Sequence, residues 1–239
     1  MKSTERHQLK ENEFAATARR AIETLRENGR SLLLGLLAVV VVAGGVLGYL
    51  MVRQNRANEA GARLGEAMAI AQASIAPPST LPGAQQAPGT YPTETARSEA
   101  AFEAYQAIIA DYPTGRVGVT AKYEAAGELL DLGRPAEAET FFNEVIASGE
   151  ELYAPMARLG LAQAKLAAGK HDEAVGLLTD LAASRDTPLP VDGVLIQLGQ
   201  AYSKAGKTAD ARAAYQRVVD EFADSVYAFE ARQRLAALN

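Results

Sequence analysis

Between Arg30 and Arg53 the chain runs for 22 residues without a charge: Ser31-Leu-Leu-Leu-Gly-Leu-Leu-Ala-Val-Val-Val-Val-Ala-Gly-Gly-Val-Leu-Gly-Tyr-Leu-Met-Val52. As a helix this stretch covers roughly 33 Å, against a bilayer hydrocarbon core of about 30 Å. Two other readings compete. A cleaved secretory signal has an apolar stretch of about 7–15 residues behind a short basic lead, whereas the lead here is 30 residues long. A core helix of a soluble domain is rarely apolar on all faces for six turns. The expectation is an uncleaved transmembrane helix over residues 31–52.

The basic residues around that stretch set an orientation. Seven precede it (Lys2, Arg6, Lys10, Arg19, Arg20, Arg26 and Arg30), and three follow closely (Arg53, Arg56 and Arg63). This asymmetry places the N-terminus in the cytoplasm and everything after residue 52 on the other side. Within the span, Gly44 and Gly48 form a small-xxx-small pair of the kind that lets helix backbones approach each other.

The two sides differ in charge. Residues 1–30 carry seven basic and five acidic side chains, whereas residues 31–239 carry 17 basic and 24 acidic. An acidic outer region argues against nucleic-acid binding, which needs a basic footprint. With no cysteine in the chain, a disulfide framework and thiolate metal sites are excluded.

Within residues 12–27, Phe14, Ala18, Ile22 and Leu25 share one helical face. That face suits the cytoplasmic leaflet, or belongs to a solvated helix that Asn28-Gly29 breaks before the span. Helix is expected again over 53–75, where Ala57, Gly61, Gly65, Ala69 and Ala73 recur every four residues. This small-residue stripe would let another helix pack close, and the first helix of the repeat domain is the expected partner. Five of the ten prolines (Pro77, Pro78, Pro82, Pro88 and Pro92) then mark residues 76–96 as a linker.

From residue 97 the sequence repeats. Gly133, Gly169 and Gly206 stand 36 and 37 residues apart. Each is preceded by a helical segment carrying Ala125-Ala126, Leu161-Ala162 or Leu198-Gly199. Each is followed by a small residue (Ala138, Ala174, Ala211) and, four positions on, a large one (Phe142, Leu178, Tyr215). Ala101, Tyr105, Ile108 and Pro113 match half of an earlier unit. The glycines suit helix-ending turns at positive φ. Glu137, Asp172, Glu173 and Asp210 open the second helices, where the dipole favours acidic groups. Units of this kind bury their apolar faces only by stacking.

The pattern resembles the tetratricopeptide repeat, whose usual period is about 34 residues. The family's helix A tryptophan is missing, with Lys122, Arg158 and Leu195 in its place. The resemblance implies an all-α fold: one transmembrane helix, then an α-solenoid of about three and a half repeats over 97–239. Residues 224–238, with Val226, Phe229 and Leu235, read as a closing cap helix. The expected layout is a tail over 1–30, the span over 31–52, a juxtamembrane helix over 53–75, a linker over 76–96 and the repeat domain.

The resemblance also implies a concave, partner-binding groove lined by Tyr123, Gly127, Leu159, Gln163, Ile196, Gln200 and Lys204. The Lys and Asn pattern with which some members clamp a terminal carboxylate is absent. These partly apolar positions either form an open groove for a hydrophobic segment or helix, or pack against the chain's own helices.

No catalytic constellation is readable. Gly206-Lys207-Thr208 imitates the end of a phosphate-binding loop, but that loop needs a glycine five positions earlier, and Ala201 stands there. Neither of the two histidines, His7 and His171, has a second imidazole or a thiol beside it for a metal site. Neither an enzyme nor a cofactor is expected. The layout is similar to bacterial membrane-anchored tetratricopeptide proteins of the ancillary Sec translocon subunit family. That resemblance implies an inner-membrane protein with its repeat domain in the periplasm, working with the translocon, periplasmic chaperones and exported chains. A cell-envelope scaffold for division or outer-membrane assembly is the alternative, and a structural homo-oligomer held through Gly44 and Gly48 and the Gly61 and Gly65 stripe is another.

Overall fold

The computed structural model describes residues 4–77, 86–184 and 187–238. Helix α1, Thr4–Ala71, carries the apolar stretch. The break expected at Asn28-Gly29 does not occur, because a helical glycine costs only about 1 kcal/mol and the long apolar run beside it continues the helix. The face formed by Phe14, Ala18, Ile22 and Leu25 lies outside the described side chains. The chain divides into two compact units, residues 1–58 and 59–239.

In the first unit, fourteen large apolar side chains between Leu33 and Val52 are exposed, from 48% at Leu50 to 72% at Met51. A Cβ added at Gly44 or Gly48 would meet nothing within 4 Å. Residues 29–71 are long and apolar enough to cross a membrane.

The second unit is an antiparallel stack of helices. It comprises α2 (Glu94–Asp111), α3 (Gly115–Asp131), α4 (Pro135–Ser148), α5 (Tyr153–Ala167), α6 (His171–Ala183), α7 (Val191–Lys204), α8 (Thr208–Glu221) and α9 (Ala228–Ala237). Each packs chiefly on its neighbours in sequence, as in a quasi-one-dimensional repeat array. The buried residues form two clusters that meet at α5, one from Ala67 to Ala164 and one from Ala162 to Ala231.

The half repeat is completed by the end of α1. Leu64, Ala67, Met68, Ile70 and Ala71 pack into the first cluster beside Ala101, Phe102, Tyr105 and Ile108 of α2. The small-residue stripe plays no part in this contact. Gly61, Gly65 and Ala69 are exposed, and the packed face lies one residue round the helix, where Leu64 and Met68 supply more apolar area. The linker is tied at its base. Ser74–Ile75 (β1) pairs in parallel with Thr90–Tyr91 (β2), and Gln86 Nε2 donates to Ala76 O and Thr90 Oγ1, each at 2.7 Å. Thr93 then caps α2 by accepting from Ala96 N.

The three turns share one geometry. Gly133, Gly169 and Gly206 have φ of 68°, 75° and 73°. The following residues, Arg134, Lys170 and Lys207, donate their N–H groups back to Leu129, Lys165 and Tyr202 O at 2.8, 2.8 and 2.9 Å. The glycines donate to Leu130, Leu166 and Ser203 O. This is the Schellman arrangement, which satisfies helix-end carbonyls through a left-handed glycine. The imitation of a phosphate loop at Gly206-Lys207-Thr208 is thus a helix-to-helix turn.

The basic residue after each glycine also reaches the preceding repeat. The Arg134 guanidinium sits 5.1 Å from the Phe102 ring centroid. Lys170 Nζ meets Glu139 Oε1 at 2.9 Å, and Lys207 Nζ meets Asp172 Oδ1 at 2.8 Å. Glu139 is the best enclosed of these acids, with 12% of its side chain exposed, and Lys165 also approaches it at 2.7 Å. Burial pushes the Glu139 carboxyl up, but the hydrogen bonds and charges of Lys165 and Lys170 outweigh it and hold the group below the ordinary carboxylate range.

Because the folded pKa is depressed, this contribution to stability is present above about pH 4.3 and is lost as pH falls through the folded value. Replacing Glu139 by Gln is expected to cost about 2 kcal/mol at pH 7, the scale of hydrogen bonds to charged groups. In denaturant titrations the difference from wild type should vanish at low pH.

Aromatic side chains fill the spaces between facing helices. Phe142 and Tyr215 are 2% and 1% exposed. A Cβ on Gly160 would sit within 3.0 Å of the Phe142 ring, and one on Gly199 within 3.0 Å of the Tyr215 ring. These glycines are sites of close approach, needed for space and not for backbone freedom.

The cap differs from its expectation. Helix α9 spans 228–237 and docks through Ala228, Ala231 and Leu235, spaced three and four residues apart. Val226 and Phe229 fall off that face and are 87% and 66% exposed.

Candidate partner-binding groove

Helices α5, α7 and α9 enclose an open groove of about 450 Å³. Of the seven positions expected to line a concave face, Leu159, Gln163, Ile196, Gln200 and Lys204 lie on it. The 3.6-residue period explains the arrangement. Residues 159, 163 and 166 share a face of α5, and residues 193, 196, 197, 200 and 204 share a face of α7. Ile196 is nearly covered, at 3% exposure. Leu159 is half-buried and packs on the second core cluster.

Tyr123 and Gly127 are not part of this groove. Tyr123 is half-buried in an aromatic group, with its ring centroid 6.0 Å from that of Phe142 and 5.5 Å from that of Tyr153. Burial, with the Glu124 charge beside it, pushes its hydroxyl pKa up. Gly127 is half-exposed, and no side chain stands against it.

The repeat alignment does not mark Leu166, Gly193, Gln197, Tyr227 or Glu230, which complete the walls. Tyr227 caps the N-terminus of the cap helix, and Glu230 lies in its first turn. Their signal in the sequence is spacing, since the cap continues the repeat period and so presents its own residues to the same edge.

The polar wall is partly self-bonded. Gln163 Nε2 donates to Gln197 Oε1 at 3.1 Å, and Gln200 Nε2 donates to Glu230 Oε1 at 3.2 Å. Glu230 also meets Arg234 Nη2 at 3.1 Å. Among the described residues no group of three His, Cys, Asp or Glu side chains could hold a metal ion. His171 opens α6, half-buried at the turn after Gly169.

Paired antiparallel helices, recurrent left-handed glycine turns and a core shared chiefly between neighbours define a helical-repeat protein. The family model described as a tetratricopeptide repeat-like domain matches residues 24–238, and the chain belongs to that family. No curated protein matches the chain.

Among solved structures, the chain is similar to a putative kinesin light chain from Podosopora anserina with nearly identical TPR-like repeats. The identity is 21%, the coverage is 59% of this chain and 77% of that one, and the TM-score is 0.52. It is also similar to MamA, at 17% identity, the same coverages and a TM-score of 0.48. The kinesin light chain likeness is a likeness of fold. Domains of this family bind protein partners.

Proposed function

We propose that this protein is a membrane-anchored adaptor that binds other proteins through the α5–α7–α9 groove. In this reading it is an accessory of the Sec translocon and the periplasmic chaperone network, acting on exported proteins. The observation that carries the anchored reading is the run of exposed apolar side chains from Leu33 to Val52 on a helix long enough to span a bilayer. No soluble environment favours such a surface. The basic excess before it supports a cytoplasmic N-terminus and a periplasmic repeat domain. The acidic repeat region and the partly apolar groove suit polypeptide ligands and disfavour nucleic acid.

In-cell photo-crosslinking from Leu159, Gln163 and Lys204, with partners identified by mass spectrometry, tests this. Translocon subunits, chaperones or exported chains are the expected partners. Division or outer-membrane assembly proteins would replace this reading with the envelope-scaffold one.

A further inference from the structure

We propose that Glu124 and Glu128 take up a shared proton as the surroundings turn mildly acidic, and that this proton tightens the packing of α3 on α2. The junction is separate from the α5–α7–α9 groove, so the inference does not rest on the partner-binding reading.

The two glutamates stand one helical turn apart on α3, so their carboxylates share a face. That face is turned towards α2, since Glu128 lies beside Arg97 and Ser98, and both glutamates act on Tyr105. Ser98 and Tyr105 are 2% and 1% exposed, and both glutamates are half-buried. Glu128 Oε2 and Arg97 Nε are enclosed without a hydrogen-bond partner. Glu137, Glu139, Glu144 and Asp172 each meet a lysine or arginine. Neither Glu124 nor Glu128 makes such an ion pair among the described residues.

The neighbouring groups do not offset this charge. On α3, Asp131 adds to the repulsion at Glu128, and Lys122 is engaged by Glu144. Tyr123, beside Glu124, and Tyr153 of α5, beside Tyr123, bring no cation. On the end of α1, Arg63 is engaged by Glu59 and Asp111. Like charges at this spacing repel, and a buried charge without a partner is costly. One proton relieves both costs and turns a carboxylate oxygen into a hydrogen-bond donor.

Burial pushes both carboxyls above the ordinary range. The Glu128 charge adds to this at Glu124, and at Glu128 the Ser98 hydroxyl and the Arg97 charge oppose it without cancelling it. The folded state therefore holds the proton more tightly than the unfolded chain. Stability of this junction rises as pH falls through the folded value towards about 4.3, the unfolded one. The sign is opposite to that at Glu139. The proton belongs to the pair and not to either residue alone.

The test is hydrogen exchange on the full chain in dodecyl maltoside micelles at about pH 8 and about pH 5, a range that brackets the rise. Mass spectrometry reads protection factors corrected for the intrinsic exchange rate, with α7 and α8 as the internal reference. In wild type, protection of α2 and α3 is expected to rise about threefold or more at the lower pH relative to α7 and α8. In the double variant Glu124→Gln, Glu128→Gln, these helices should already be better protected than wild type at the higher pH and should no longer respond to acid. Each single variant should fall between the two.

Protection of α2 and α3 that stays level or falls on acidification of wild type would overturn the proposal, whatever the variants do. A response to acid that survives undiminished in the double variant, or in both single variants where the double variant does not fold, would overturn it too.

Discussion

Replacing Tyr215 by alanine is expected to destabilise the repeat domain by about 3–5 kcal/mol, the range for deleting a large buried aromatic side chain. Tyr215 is 1% exposed and lies against Gly199 on the facing helix, so no neighbour is placed to fill the space. The ring carries most of this, and Tyr215→Phe separates the two contributions. Removing only the hydroxyl should cost about 1 kcal/mol or less, the scale of a single hydrogen bond.

The converse change, Gly199→Leu, forces a side chain into the ring and should also destabilise, by about 1–3 kcal/mol or more. The loss should be local, since stability in a repeat array is a sum over units and their interfaces. Tyr215 belongs to the second core cluster, from Ala162 to Ala231, whereas Tyr105 and Phe142 belong to the first. Hydrogen exchange on the full chain in detergent should therefore show α7, α8 and α9 opening first in Tyr215→Ala, with α2, α3 and α4 still protected. Uniform loss of protection would show that the two clusters unfold as one.

The repeats were legible because several signals fall in register. The turn glycines, the alanines at 138, 174 and 211 and the large residues four positions later all mark the same period, and each has a physical role in the structure. The pairing of the segment after the apolar stretch with the first repeat helix was legible as well, but its contact face was not. The tail of α1 completes the first helix pair across a linker of about 20 residues, and no spacing rule fixes which of its residues meet α2. The stripe from Ala57 to Ala73 gave the right idea of a packing helix but the wrong face, because small residues permit close approach without requiring it. The apolar content of Leu64 and Met68 decided the matter. The cap shows the opposite outcome, since the small Ala228 and Ala231 fit against α8 and leave the larger Val226 and Phe229 outside. Five of the seven expected groove positions line one groove, whereas Tyr123 and Gly127 of α3 do not, and its third side comes from Tyr227 and Glu230 at the cap, which only the spacing of the cap from the repeats marks.

Substituting Val41 and Val46 together by arginine is expected to abolish stable membrane association of the full chain. Each arginine near the middle of a spanning helix costs about 2.5–3.5 kcal/mol on an insertion scale. Both positions are exposed on α1, at 65% and 52%, so neither arginine would find a protein partner within this chain. The uncharged stretch is 22 residues long with little surplus apolar length, so a helix that crosses a bilayer there cannot slide to carry both charges to an interface.

After carbonate extraction, wild type should stay in the membrane pellet and the double variant should appear in the supernatant or be degraded. The repeat domain, whose core lies after residue 59, should fold alike in both. A wild-type chain found in the supernatant would remove the anchor, and with it the positional argument for acting beside the translocon. N-terminal sequencing of the mature protein separates the remaining alternative. A chain that keeps Met1 or Lys2 retains its span, whereas one that begins after Val52 has used residues 31–52 as a cleaved signal. That second result would release the repeat domain into the periplasm and make the groove, not the membrane, the sole determinant of where the protein works.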